Sequence, residues 1–250
     1  MRTMAKPLLA LVLLLHAACS WAAVSAQEQQ RLHSQASLLA MDALIYYDTD
    51  PRAAALPDAS LQQELRETRR MLEAASVERA LPAGLGAALA GMGADLNALQ
   101  RLPRDQASHY APLLISLLDH REQLIRQMDA MPVAPPASPL AQALNRQSQR
   151  IGEIFLHALA RDAVVLREHS MAHHQTGLHP QDRDIEQGFD HLNELLPPGA
   201  SAQLQRQRLA YRFVRPKLLQ PDALQKSAAA KRYIVAIVAW LDRQARQAER

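Results

Sequence analysis

The chain has 250 residues, 48% of them hydrophobic, 21% charged and only 4% aromatic, with a formal net charge of +3. A single cysteine excludes an internal disulfide, so stability must come from a packed core. Two basic residues, Arg2 and Lys6, carry most of the charge excess; without them 26 basic residues face 25 acidic ones, a balance of +1, which removes the case for nucleic-acid binding.

Residues 1–26 read as an export signal. Arg2 and Lys6 form a positive start, Pro7 to Ala18 an apolar core, and Val24-Ser25-Ala26 a small-residue cleavage site. That core is about 12 residues long, short of the roughly 20 that span a bilayer. Cleavage after Ala26 predicts a periplasmic protein of 224 residues without cysteine. Lipidation at Cys19 is the alternative, with His16-Ala17-Ala18-Cys19 as a poor lipoprotein box. No later segment is apolar for long enough to cross a membrane.

Alanine, leucine, glutamine and arginine dominate the rest of the chain, and strand-like alternation is missing, which predicts an all-α fold. A first helix spans about Gln27 to Tyr47, with Leu32, Ala36, Leu39, Ala43 and Tyr47 on one stripe, and stops at Asp48-Thr49-Asp50-Pro51. A second covers Leu61 to Ala75 and a third Leu85 to Leu102, whose glycines at 84, 86, 91 and 93 either weaken it or permit close packing. The fourth, Ala111 to Met131, carries Leu114, Leu117, Leu118, Leu124, Ile125 and Met128. Residues 132–139 hold four prolines and read as a stiff connector.

The second half repeats the plan. The expected helices are Leu140 to His169, Asp184 to Leu196, Ser201 to Leu219 with a break near Arg215-Pro216, and Asp222 to Arg250. A loop is expected from His169 to Pro180. The result is two tandem up-and-down bundle units of about four helices each, 27–131 and 140–250.

Each unit opens on a Ser-Gln pair beside arginines: Gln30-Arg31-Leu32-His33-Ser34-Gln35, and Asn145-Arg146-Gln147-Ser148-Gln149-Arg150. Arginine is a planar fork of donors suited to carboxylates and oxyanions, and a Ser hydroxyl or Gln amide beside it adds neutral hydrogen bonds. Backbone amides near a helix start would favour the same anion. The competing reading is a solvated helix face. These segments resemble the motif that opens the periplasmic sensor domain of type IV pilus methyl-accepting chemotaxis transducers, roughly Gly-Arg-Gln-Arg-Met-Leu-Ser-Gln-Arg-Met. That domain is related to the sensor domain of nitrate/nitrite sensor kinases. Phe189, Leu192 and Leu195 resemble its second-helix pattern. Ala36 and Asn145 stand where the motif has arginines. The resemblance implies tandem sensor bundles, with Arg31, Ser34 and Gln35 in one and Arg146, Ser148, Gln149 and Arg150 in the other holding a small anion. It also implies a membrane-bound signalling protein as partner.

Two further clusters compete. His169, His173 and His179 lie at spacings that would suit zinc or copper, or else cap a helix end. Arg206, Arg208, Arg212, Arg215 and Lys217 belong to a C-terminal stretch, 201–250, with 11 basic and 3 acidic residues, suited to docking an acidic partner. No haem-attachment motif or nucleophile elbow occurs, and Glu64, Glu67, Asp119 and Glu153 are spaced like surface charges. The expectation is a non-enzymatic module without a cofactor.

Overall fold

The structure is a computed structural model that describes residues 25–48, 58–77, 81–132, 137–167, 177–220 and 228–249. Residues 1–24, most of the expected export signal and including Cys19, the centre of the proline connector, and His169 and His173 lie outside the described residues. The fold is all-α, with no strand among the described residues. The helices are α1 (Ala26–Tyr47), α2 (Asp58–Val77), α3 (Ala83–Arg101), α4 (Tyr110–Asp129), α5 (Pro139–Asp162), the single turn α6 (Val164–Arg167), α7 (Leu178–Leu195), α8 (Pro198–Leu219) and α9 (Ala228–Ala248). A 3-10 segment, Arg104–His109, leads into α4.

Local chemistry explains where the two central helices start. Ser25 caps α1, its hydroxyl accepting from the Glu28 amide at 3.3 Å while Glu28 reaches back to the Ser25 amide. Ser138 caps α5 through the Ala141 amide at 3.1 Å, and Pro139 occupies the first turn, where its missing N–H is not needed.

Three expectations about helix limits are corrected. The long helix expected to reach His169 ends at Asp162: Ala163 is extended, and the Asp48 carboxylate takes the Val164 amide at 3.0 Å, diverting a donor the helix would have used. The loop expected up to Pro180 is already helical from Leu178, because Pro180 falls in the first turn. No break occurs at Pro216, which lies in the last turn of α8 and accepts the Gln220 amide through its carbonyl at 3.2 Å.

The apolar stripes point inward: Leu32, Ala36, Leu39, Ala43 and Tyr47 of α1 and Leu144, Ile151, Ile154, Phe155 and Ala158 of α5 are all buried. Within the first half, α1 packs on α2 and α4, and α3 lies along α4. Within the second, α5 packs on α7 and α9, and α8 bridges α7 and α9. α1 and α5 also pack on each other, and one continuous core runs through both halves. That contact sets the two Ser-Gln segments face to face. Of the sensor-like residues of α7, Phe189 and Leu192 are core while Leu195 is exposed. Tyr233 is exposed and lies against Phe213, with ring centroids 5.1 Å apart.

Candidate functional site

Along α5, Arg146, Gln149, Arg150, Glu153 and His157 fall at helical spacings of three and four and form one polar stripe. The stripe lines a cavity of about 340 Å³, closed by His33 of α1, Ile125 and Asp129 of α4, and Gln181 and Asp184 of α7. Arg146, Gln149 and Arg150 of the sequence-derived set therefore meet in one crevice. The Ser-Gln pairs themselves lie in the third turn of their helices, so helix-start amides do not reach them.

At the back of the cavity sits Glu153, which the spacing had suggested was a surface charge. Arg121 pairs with it and also donates to the Ser37 hydroxyl at 2.8 Å. His33 Nε2 and His157 Nε2 stand 3.7 Å from its two oxygens. Burial opposes ionisation of Glu153, but the Arg121 charge and the flanking imidazoles outweigh it and hold its pKa below the usual carboxylate range. Burial, helped by Arg121 and opposed by Glu153, lowers the His33 pKa to about 4, so this imidazole is neutral at pH 7. The Gln181 amide nitrogen lies 2.9 Å from His157 Nδ1; with that amide donating, the His157 proton sits on Nε2, towards Glu153.

Nearer the mouth the charges are unmatched. Arg150 donates to the Asp184 main-chain carbonyl at 3.2 Å, and neither Arg146 nor Arg150 has an acidic partner among the described residues. Asp129 and Asp184 have no cationic partner among the described residues. Partial desolvation at the cavity rim, with the nearby Glu153 charge, pushes the pKa of the largely exposed Asp129 up.

The two serines do something different. Ser34 and Ser148 both hydrogen-bond the Asp242 carboxylate of α9, at 3.0 and 2.7 Å, and Gln30 adds a third donor at 2.8 Å. Gln149 donates to the Gln30 side-chain oxygen Oε1 at 3.0 Å, tying this node to the cavity wall. Arg31 is exposed and Gln35 joins neither cluster. Of the histidine alternative, His179 is exposed, and no group able to hold a metal occurs among the described residues.

The basic stretch of α8 is largely neutralised by α7. Arg208 meets Glu186 at 2.7 Å and Asp190 at 2.5 Å, Arg212 meets Glu186 at 2.7 Å, and Arg215 meets the buried Asp182 at 2.6 Å. Tyr211 donates to the same Asp182 at 2.9 Å.

Sequence reasoning missed Asp242, Arg121 and His33, although two of them left a signal. Arg121 falls in the apolar series Leu114, Leu117, Leu124, Met128, and Asp242 follows Trp240-Leu241 on a helix whose apolar face is buried. A charge on an apolar stripe marks a buried polar partner. No helix among the described residues is long and apolar enough to cross a membrane. No family model, curated protein or solved structure matches this chain.

Proposed function

We propose that this protein is a non-enzymatic, exported sensing module that binds a small ligand through an anionic group in the cavity between α1, α4, α5 and α7. The observation that carries the reading is the convergence of Arg146, Gln149 and Arg150 on one crevice of about 340 Å³, with both guanidinium groups lacking an acidic partner among the described residues. A volume at the low end of ligand pockets suits a small molecule. Arg150 uses one nitrogen on the Asp184 main-chain carbonyl, which leaves the Nε–Nη2 edge of its fork to bind a carboxylate or oxyanion bidentately. The Gln149–Gln30 hydrogen bond leads from the cavity wall to Asp242 of α9, a path by which occupancy would reach a membrane-bound partner. The likeness of the Ser-Gln segments to chemotaxis-transducer sensor domains supports the same reading.

The test is a thermal melt against nitrate, phosphate, acetate and small dicarboxylates, with Arg150→Ala alongside. A ligand at 100 times its Kd stabilises by about 2.7 kcal/mol. A shift seen in the wild type and lost in the variant supports the reading; no shift with any anion counts against it.

A second reading is an interaction protein that docks a membrane-bound partner through its C-terminal helices, favoured by Leu209, Phe213 and Tyr233, which are 64%, 64% and 42% exposed. It predicts that Phe213→Ser abolishes capture of a membrane-fraction partner while ligand-induced melting shifts are unchanged.

A further inference from the structure

Resting on the reading of the α1–α4–α5–α7 cavity as a ligand site, we propose that its ligand is a zwitterion, specifically a free α-amino acid. The cavity presents unmatched charge of both signs. Arg146 and Arg150 supply two positive groups, and Asp129 and Asp184 supply two negative ones, none of the four with an oppositely charged partner among the described residues. Glu153, the remaining carboxylate, is already paired with Arg121. A simple anion would satisfy the arginines and leave the aspartates repelling it. A simple cation would do the reverse. A molecule with a carboxylate and an ammonium a few bonds apart matches both sets at once, and complementary charge is what discriminates among ligands of one size.

The kind of cation is set by the wall. A quaternary ammonium is recognised by aromatic faces, and no Phe, Tyr or Trp lines this cavity among the described residues. An ammonium with N–H donors is recognised by carboxylates, which are present. Ile125 is the one aliphatic side chain in the lining among the described residues, whereas Gln149 and Gln181 offer amides, so the ligand's own side chain is small or polar.

The experiment is isothermal titration of the purified protein with each proteinogenic L-amino acid, with nitrate and acetate, and with the des-amino carboxylate and the decarboxylated amine of the tightest amino acid. The expected result is that one or more amino acids bind, with both single-charge analogues weaker by about tenfold or more. Arg150→Ala should weaken the amino acid and its des-amino carboxylate alike. The pair Asp129→Asn with Asp184→Asn should weaken the amino acid by about tenfold and leave the carboxylate unchanged. Both aspartates are exposed, so these variants should fold, and their circular dichroism melts check it. Carboxylates binding as tightly as amino acids, or Asp→Asn variants with unchanged amino-acid affinity, would overturn the zwitterion and leave the anion site standing. If no amino acid, carboxylate or inorganic anion binds, both fall.

Discussion

Ser34 and Ser148, one from each half of the chain, hydrogen-bond the two oxygens of a single carboxylate, Asp242, at 3.0 Å to Oδ2 and 2.7 Å to Oδ1. A third helix thus reads the contact between α1 and α5. The two serines, expected at an anion site, share Asp242 as an acceptor, while the cavity-lining Arg146 and Arg150 lie two residues to either side of Ser148 on α5.

Asp242 should therefore hold the halves together. Asp242→Ala leaves Gln30, Ser34 and Ser148 short of an acceptor and should destabilise by about 2–3 kcal/mol in a urea titration. The pH dependence has a definite sign. Burial raises the Asp242 pKa above the ordinary carboxylate value, against the lowering effect of its three donors. The folded state thus binds the proton more tightly than the unfolded one. Its contribution is fully present below the unfolded pKa and is lost as pH rises through the folded value. Asp242→Asn cannot ionise, so its stability relative to wild type should improve as pH climbs out of the carboxylate range. An unchanging gap between pH 3.5 and 7 would show that Asp242 does not titrate abnormally.

His33 should produce the opposite slope. Its pKa falls from 6.5 to about 4 on folding, chiefly by burial beside Arg121 and Glu153. Its contribution is complete above the unfolded value and lost as pH falls from 6.5 towards 4, where the unfolded chain takes up the proton first. Wild type should lose about 2–3 kcal/mol more than His33→Gln between pH 7 and 4.5. Denaturant titrations at those two pH values check this; equal losses would mean the imidazole is not held neutral.

Glycines on two helices should respond in opposite directions to alanine. At Gly86 and Gly93 of α3 an added Cβ would meet nothing within 4 Å, so each substitution should stabilise by about 0.5–1 kcal/mol by restricting the unfolded chain. At Gly188 of α7 the new methyl would collide with Gln147 Oε1. Gln147 is 1% exposed and donates to the Ile185 carbonyl at 2.9 Å, so it has little room to retreat. Gly188→Ala should cost about 1–3 kcal/mol, and thermal melts of the three variants would separate the two classes.

Helices and their buried faces were legible from the residues alone, because a stripe of Leu32, Ala36, Leu39 and Ala43 expresses the helical repeat within a few turns of chain. The glycines of α3 were legible only as an ambiguity. Gly84 and Gly91 do sit under Gln127 and His120 of α4, while Gly86 and Gly93 face open space. Helix ends slipped where a side chain far along the chain intervened, as Asp48 does at Val164.

By itself, then, the sequence determined the all-α class, the apolar faces and the placing of the polar segment Arg146 to Arg150 on a helix, all of which depend on spacing along one helix. Tertiary structure alone decided what those polar groups meet. Gln30 and Asp242 are 212 residues apart and hydrogen-bonded at 2.8 Å, and Arg121 finds Glu153 across two different helices. Periodicity says which way a side chain points. Only the packing of helices against one another says whether it arrives at solvent, at a partner charge or at a cavity.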